Sequence, residues 1–263
     1  MKKNAFTLIE LLVVIVIIGI LATIGVASFN DYMGKARNAR AQAFSAQAYR
    51  KLSTQPQYAV AYWNFEDGET WSDLATHRHT KDASFATAEG SFISGNGGNN
   101  SRYGFKSNWT QFDLEDSELT DDAITLMAWI KFDPDLFDTE GGIYRHINID
   151  YFDNGTYPNH LQSGENSVDI GYSKVSSKWV FRHGKWNTTE AVKYSKDHGW
   201  FHFMQTFRRI DSTTCQFRTI IDGKEYTNYQ DSCLGDPIKA NHIVFSGNVI
   251  FDDVGIWNIY YED

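Results

Sequence analysis

The chain has 263 residues, 42% of them hydrophobic and 15% aromatic, with 33 acidic against 24 basic side chains and a net charge of −9. That length gives one large domain or two small ones with a sizeable core. The acidic balance argues against general binding to phosphate backbones, so nucleic acid is not an expected partner. The charge is unevenly split: residues 1–52 hold seven Lys or Arg against Glu10 and Asp31, a balance of +5, so the rest carries −14.

Met1-Lys2-Lys3-Asn4-Ala5 is too short and too polar for a secretory h-region, while its two lysines hold that end on the cytoplasmic side of a membrane. The apolar run that follows, 6–26, is long enough for a membrane-spanning helix. Glu10 interrupts it. An ionised carboxylate there costs roughly several kcal/mol unless a cation meets it or it snorkels to the interface. Ala5 followed by Phe6-Thr7-Leu8-Ile9-Glu10 resembles the class III signal of type IV pilins and of the pseudopilins of type II secretion. The resemblance implies that prepilin peptidase cuts between Ala5 and Phe6, that Phe6 becomes the N-methylated first residue, and that Glu10 pairs with the terminal amine of a neighbouring subunit. It also implies a single-pass precursor in the inner (cytoplasmic) membrane, then an extracellular homo- or hetero-polymer of pilin subunits. A carboxylate that is costly alone and tolerable when paired favours one docked register over the others. Gly19 and Gly25 are the weak points of this helix, each costing about 1 kcal/mol against Ala, and are where melting on assembly would centre.

From 29 to 52 the helical habit persists. Tyr32, Ala36, Ala39, Ala43 and Ala46 form one narrow apolar face, and Phe44, Ala48 and Leu52 form a second line that predicts packing against a globular domain. A helix over 6–53 would be roughly 70 Å long. Pro56 ends it within a linker, 54–57, so the expected organisation is leader 1–5, transmembrane and filament-core helix 6–53, linker 54–57 and head 58–263.

Beyond Tyr58 the pattern changes to short β-type runs separated by Gly, Asn and Asp, the firmest at 60–66, 109–114, 124–132, 200–207 and 249–257. Many strands and no second helix predict an all-β sandwich. Asp222-Gly223 between β-branched residues predicts a two-residue hairpin turn. Cys215 and Cys233, the only cysteines, lie on either side of it, and in an oxidising compartment they are expected to pair and clamp its open end.

Trp63-Asn64-Phe65-Glu66-Asp67-Gly68, Ala123-Ile124-Thr125-Leu126-Met127-Ala128-Trp129-Ile130-Lys131, Trp200-Phe201-His202, Ile221-Asp222-Gly223 and Phe251-Asp252-Asp253-Val254-Gly255-Ile256-Trp257 occur in the order seen in concanavalin A-like, laminin-G-like (LamG) jelly rolls, which the head resembles. The expected fold class is therefore α+β, a long N-terminal pilin helix followed by an all-β jelly-roll sandwich. The resemblance implies a structural Ca2+ between the first and last strands, held by Asp253 or Asp252 with Glu66 or Asp67, and Asp73 as a further oxygen donor. The plainer alternative is that Asp252 and Asp253 face solvent beside a strand end. Trp71, Trp109 and Trp186, with Trp179 and Trp200, are candidates to stack on a surface glycan, whereas Trp63, Trp129 and Trp257 sit in core-type alternation. The paired carboxylates of glycoside hydrolases on this sandwich have no counterpart, because 148–153 lacks both glutamates. No nucleophile elbow or zinc-spaced Cys/His set occurs either. The reading is a non-enzymatic pilus-like subunit displaying a lectin-like head for adhesion to a glycan or protein. The alternatives are a type II secretion pseudopilin and, from another class, a surface-anchored glycanase.

Overall fold

The computed structural model describes residues 8–66, 85–94, 103–113, 123–132, 143–151, 167–173, 178–183, 187–193, 199–232 and 240–262, several of them by backbone alone. Contacts divide the chain into two units, Met1–Arg40 and Ala41–Asp263, so the last turns of the helix count with the head.

Helix α1 spans Leu8–Ser53, with Glu10 in its first turn and Arg50 and Lys51 in its last. Each charge sits at the end where the helix dipole favours it. Its final carbonyls are satisfied locally: Ser53 Oγ donates to Arg50 O (3.0 Å) and Thr54 Oγ1 to Lys51 O (2.7 Å). Pro56, which has no N–H to continue the ladder, opens a single 3-10 turn, Pro56–Tyr58.

The strands are β1 (Ala59–Trp63), β2 (Phe85–Ser94), β3 (Tyr103–Asp113), β4 (Ala123–Phe132), β5 (Ile143–Tyr151), β6 (Ser167–Ser173), β7 (Lys178–His183), β8 (Asn187–Lys193), β9 (Phe201–Arg209), β10 (Thr214–Ile221), β11 (Lys224–Ser232) and β12 (Ala240–Trp257). They pair antiparallel in the order β11-β10-β9-β4-β12-β5-β6-β7-β8, with β3 and β1 also against β12 and β2 against β3. The 18-residue β12 pairs with four other strands, β1, β3, β4 and β5. Residues 242–245 lie between β3 and β5, 249–251 between β3 and β4, and 255–257 between β4 and β1. The second unit is thus an antiparallel β-sandwich with the last turns of α1 packed on it, and the α+β reading of the sequence holds.

Asp222 and Gly223 form the two-residue loop between β10 and β11, both at positive φ (50° and 69°), with Ile221 opposite Lys224. That backbone is what an Asp-Gly turn supplies at low strain. β4 is buried continuously from Ile124 to Ile130, and β9 from Phe201 to Phe207. Strands covered on both faces lose the apolar-polar alternation. One face of β4 and β9 carries Met127 and Met204, which join Ala48 and Leu52 of α1, Ile220, Trp257 and Tyr261 in a single cluster. The other turns into the sandwich, where Phe207 stacks on its cross-strand partner Phe217 at 5.9 Å.

Candidate assembly and binding surfaces

In the first unit, the side chains of 8–21 are exposed around the whole circumference of α1. A helix apolar all round needs another apolar phase, either lipid or other helices. Glu10 is exposed among them, in the first turn of α1. Gly19 has nothing within 4 Å of where a Cβ would lie, so nothing in the described chain requires a glycine there. Gly25 lies in the described helix by its backbone, and Ala5 and Phe6 lie outside the described residues. Among the described residues no helix is long and apolar enough to cross a membrane. The apolar stretch with described side chains, 8–21, rises about 21 Å at 1.5 Å per residue, against a hydrocarbon core of about 30 Å.

In the second unit, α1 is seated on the face shared by β4, β9 and β10. Ala41, Ser45, Ala48 and Leu52, spaced by four and three, are its buried residues. The line Phe44, Ala48, Leu52 anticipated this contact from sequence, and Phe44 packs at its margin. Trp129 Nε1 donates to Ser45 Oγ (3.2 Å), which ties the indole to the helix. Between them lies His202, fully buried, with its ring edge-on to Phe44 (5.6 Å) and to Trp129 (5.3 Å). Neither imidazole nitrogen has a hydrogen-bond partner among the described residues. Burial pushes its pKa down to about 4, against which the nearby Asp222 carboxylate pulls upward. Asp222 is itself buried and clasps the same residue by its backbone: its N–H donates to His202 O (2.8 Å) and its Oδ1 accepts the His202 N–H (2.9 Å).

The C-terminal segment closes over the same seat. Thr125 Oγ1 donates to Ile259 O (2.6 Å), the Thr125 and Thr206 hydroxyls lie 2.8 Å apart, and the Tyr261 N–H donates to Thr206 Oγ1 (3.0 Å). Lys51 Nζ of α1 reaches Glu262 O and lies over the Tyr261 ring, 5.2 Å from its centroid. These buried hydroxyls are satisfied together, so the segment has one register on the sheet.

The residues proposed from sequence for calcium are placed as follows. Asp252 is fully buried, and its Oδ1 accepts the Asp253 N–H (2.9 Å). It therefore does not face solvent. Asp253 occupies the left-handed region (φ 47°), at a bulge where the β12–β4 register shifts between Asp252 and Gly255. Its Oδ1 accepts the Tyr62 hydroxyl (2.9 Å), and burial together with that carboxylate raises the Tyr62 pKa. Glu66 is exposed, and Asp67 and Asp73 lie outside the described residues. Among the described residues no three His, Cys, Asp or Glu converge as a metal set. Asp253 and Asp252 thus each accept a hydrogen bond from a protein donor on Oδ1.

Trp63, Trp129 and Trp257 are core residues, as expected, and Trp200 is half-buried. Trp109 lies in β3 opposite Glu89 and Ser246, and Trp179 in β7, each described by backbone alone. Trp71 and Trp186 lie outside the described residues. Cys215 is buried and disulfide-bonded, at the open end of the β10–β11 hairpin opposite Asp231; Cys233 lies outside the described residues. Sequence reasoning missed His202 as part of the helix seat, and with it Thr125, Thr206 and the closing segment 258–262. The unbroken apolar runs of β4 and β9 were the available signal, since a half-solvated strand alternates.

Residues 1–26 match a family model, the prokaryotic N-terminal methylation motif. The fold is similar to the crystal structure of the binding domain of Paraclostridial Mosquitocidal Protein 1 (TM-score 0.52, 14% identity, covering 79% of this chain and 50% of that one). It is also similar to the botulinum neurotoxin serotype D binding domain (0.54, 14%, 80% and 50%) and to the botulinum neurotoxin DC binding domain in complex with rat synaptotagmin II (0.52, 16%, 79% and 49%). The chain spans about half the length of each of these structures. At this identity the likeness is one of fold, a jelly-roll β-sandwich. No curated protein matches the chain in sequence.

Proposed function

We propose that this chain is a type IV pilin-like filament subunit whose β-sandwich head is displayed for adhesion or surface contact. The observation that carries the reading is the methylation motif at 1–26 running into a helix whose apolar side chains at 8–21 are exposed on every side. The motif implies a membrane-anchored precursor cut by prepilin peptidase, here between Ala5 and Phe6, and a polymer in which such helices bury one another. Glu10 then pairs with the N-methylated amine of Phe6 in the next subunit, and that pairing fixes the assembly register. The head, built like receptor-binding domains of other proteins, makes a structural or binding role the simplest one, with no catalytic residue assigned.

Glu10→Ala tests the assembly half. The variant is expected to insert in the membrane as wild type does and to build no filament; abundant fibres from it would refute the pairing. Mass spectrometry of the protein from its own host is expected to show a trimmed, methylated start at Phe6, and an intact Met1 start would overturn the processing step. For the head, binding of the full chain to a glycan array with Ca2+ and with chelator tests both Trp71, Trp109 and Trp186 as stacking residues and calcium at Asp253, Asp252, Glu66 and Asp67. Binding abolished by chelator supports the metal, and no binding in either condition removes the lectin role. The disulfide on Cys215, with one other cysteine in the sequence, supports a Cys215–Cys233 pairing.

The same motif supports a second reading, a pseudopilin of type II secretion. Immunogold electron microscopy separates them: long extracellular fibres labelled by antibody to the head favour the pilus, and label confined to the envelope the pseudopilus.

A further inference from the structure

His202 sits where a titratable group is costly, buried between the last turns of α1 and the sheet that carries them. From α1 it meets Phe44, and from β4 Trp129, whose indole N–H is committed to Ser45. Among the described residues, neither α1 nor β4 contributes a charge that acts on it. The β10–β11 turn presents Asp222, the one ionisable group among the described residues that acts on the imidazole. Both imidazole nitrogens lack a protein partner among the described residues, so protonation there would place a cation in an apolar joint. The sandwich strands are held to one another by their own ladders, whereas among the described residues 41–53 meets the sheet through side-chain contacts.

We infer that His202 makes the seat of α1 on the head an acid-labile joint, in which protonation of the imidazole releases residues 41–53 from the sheet while the sandwich stays folded. The sign follows from the two states. The released imidazole titrates near 6.5 and the seated one near 4, so the seated state binds fewer protons between those values. Seating is therefore complete above about pH 6.5, weakens as the pH falls, and has lost its full increment near pH 4. The ratio of seated to released helix should drop about tenfold per pH unit across that window, about 300-fold in all. A joint of this kind loosens 41–53 from the sheet in acidic surroundings. The inference concerns the joint alone and stands whether or not the chain forms pili.

The test is amide hydrogen exchange of the full chain in detergent between pH 7.5 and pH 4.5, with protection corrected for the intrinsic rate. Protection at 41–53 is expected to fall by at least tenfold while β4 and β9 keep theirs, and His202→Gln is expected to flatten that fall. Two results overturn the inference: an equal loss in His202→Gln, or loss from strands and helix in step. If His202→Gln does not fold at pH 7.5, the imidazole titration of the wild type decides by NMR. Protonation that coincides with loss of protection at 41–53 supports the joint, and protonation near 6.5 with the helix still seated refutes it.

Discussion

Gly255→Ala is the most demanding test of the packing around the seat. A Cβ built at Gly255 lies 2.2 Å from Trp257 Cη2, 2.3 Å from Trp257 Cζ3 and 3.1 Å from Tyr62 Cδ2. Contacts between carbons are favourable near about 3.5–4.0 Å, so the six-membered part of the indole has to move by more than an ångström. It has little room to do so, because Trp257 is packed with Ala48, Leu52, Met127, Met204, Ile220 and Tyr261. Overpacking of this kind costs about 1–3 kcal/mol, and two sub-contact distances to a fully buried ring place this site at the upper end, about 3 kcal/mol. For a unit of this size that is about 6–12 °C in Tm. The assay is thermal and urea unfolding of the full chain in detergent, followed by near-ultraviolet circular dichroism. Trp257→Phe removes the clashing atoms and alone costs about 1–2 kcal/mol for the cavity it leaves. In that background Gly255→Ala is expected to cost under about 1 kcal/mol, a coupling of about 2 kcal/mol. An equal cost in both backgrounds, or a cost below about 0.5 kcal/mol in wild type, would refute the reasoning.

Thr206→Val leaves the buried Tyr261 N–H without its acceptor and is expected to destabilise the head by about 1–3 kcal/mol, read by urea unfolding, with faster proteolysis after 258. Ser45→Ala strips the acceptor from Trp129 Nε1 at the helix seat; a loss of about 1–2 kcal/mol with a shift in indole fluorescence is the expected result. Asp222→Asn keeps the left-handed turn and an oxygen acceptor for the His202 N–H, so it should cost less than about 1 kcal/mol. Asp222→Ala loses both and should cost about 2 kcal/mol in the same unfolding assay. Reduction of the chain should lower the stability of the β10–β11 hairpin region by about 3 kcal/mol, the value for closing a loop of this size, measured by unfolding with and without dithiothreitol.

Local pattern carried a good part of the architecture. The apolar run with Glu10 inside it, the four-residue spacing of Phe44, Ala48 and Leu52, and the Asp222-Gly223 turn each act over one or two turns of chain. Their meaning survives without the rest of the protein. The long runs of β4 and β9 could be read as strands, but the two covered faces that their lack of alternation signals were not read from it.

What covers those faces was decided only in three dimensions. The 18 residues of β12 pair with β1, β3, β4 and β5, partners drawn from most of the chain, and the bulge at Asp253 arises where those registers fail to match. A left-handed aspartate, a glycine fixed by an indole two residues on, and a histidine trapped between a helix and a sheet are consequences of that long-range pairing. Period and propensity describe neighbours along the chain, whereas burial at Asp252, His202 and Gly255 depends on segments 50 to 200 residues away that meet only once the sandwich has closed.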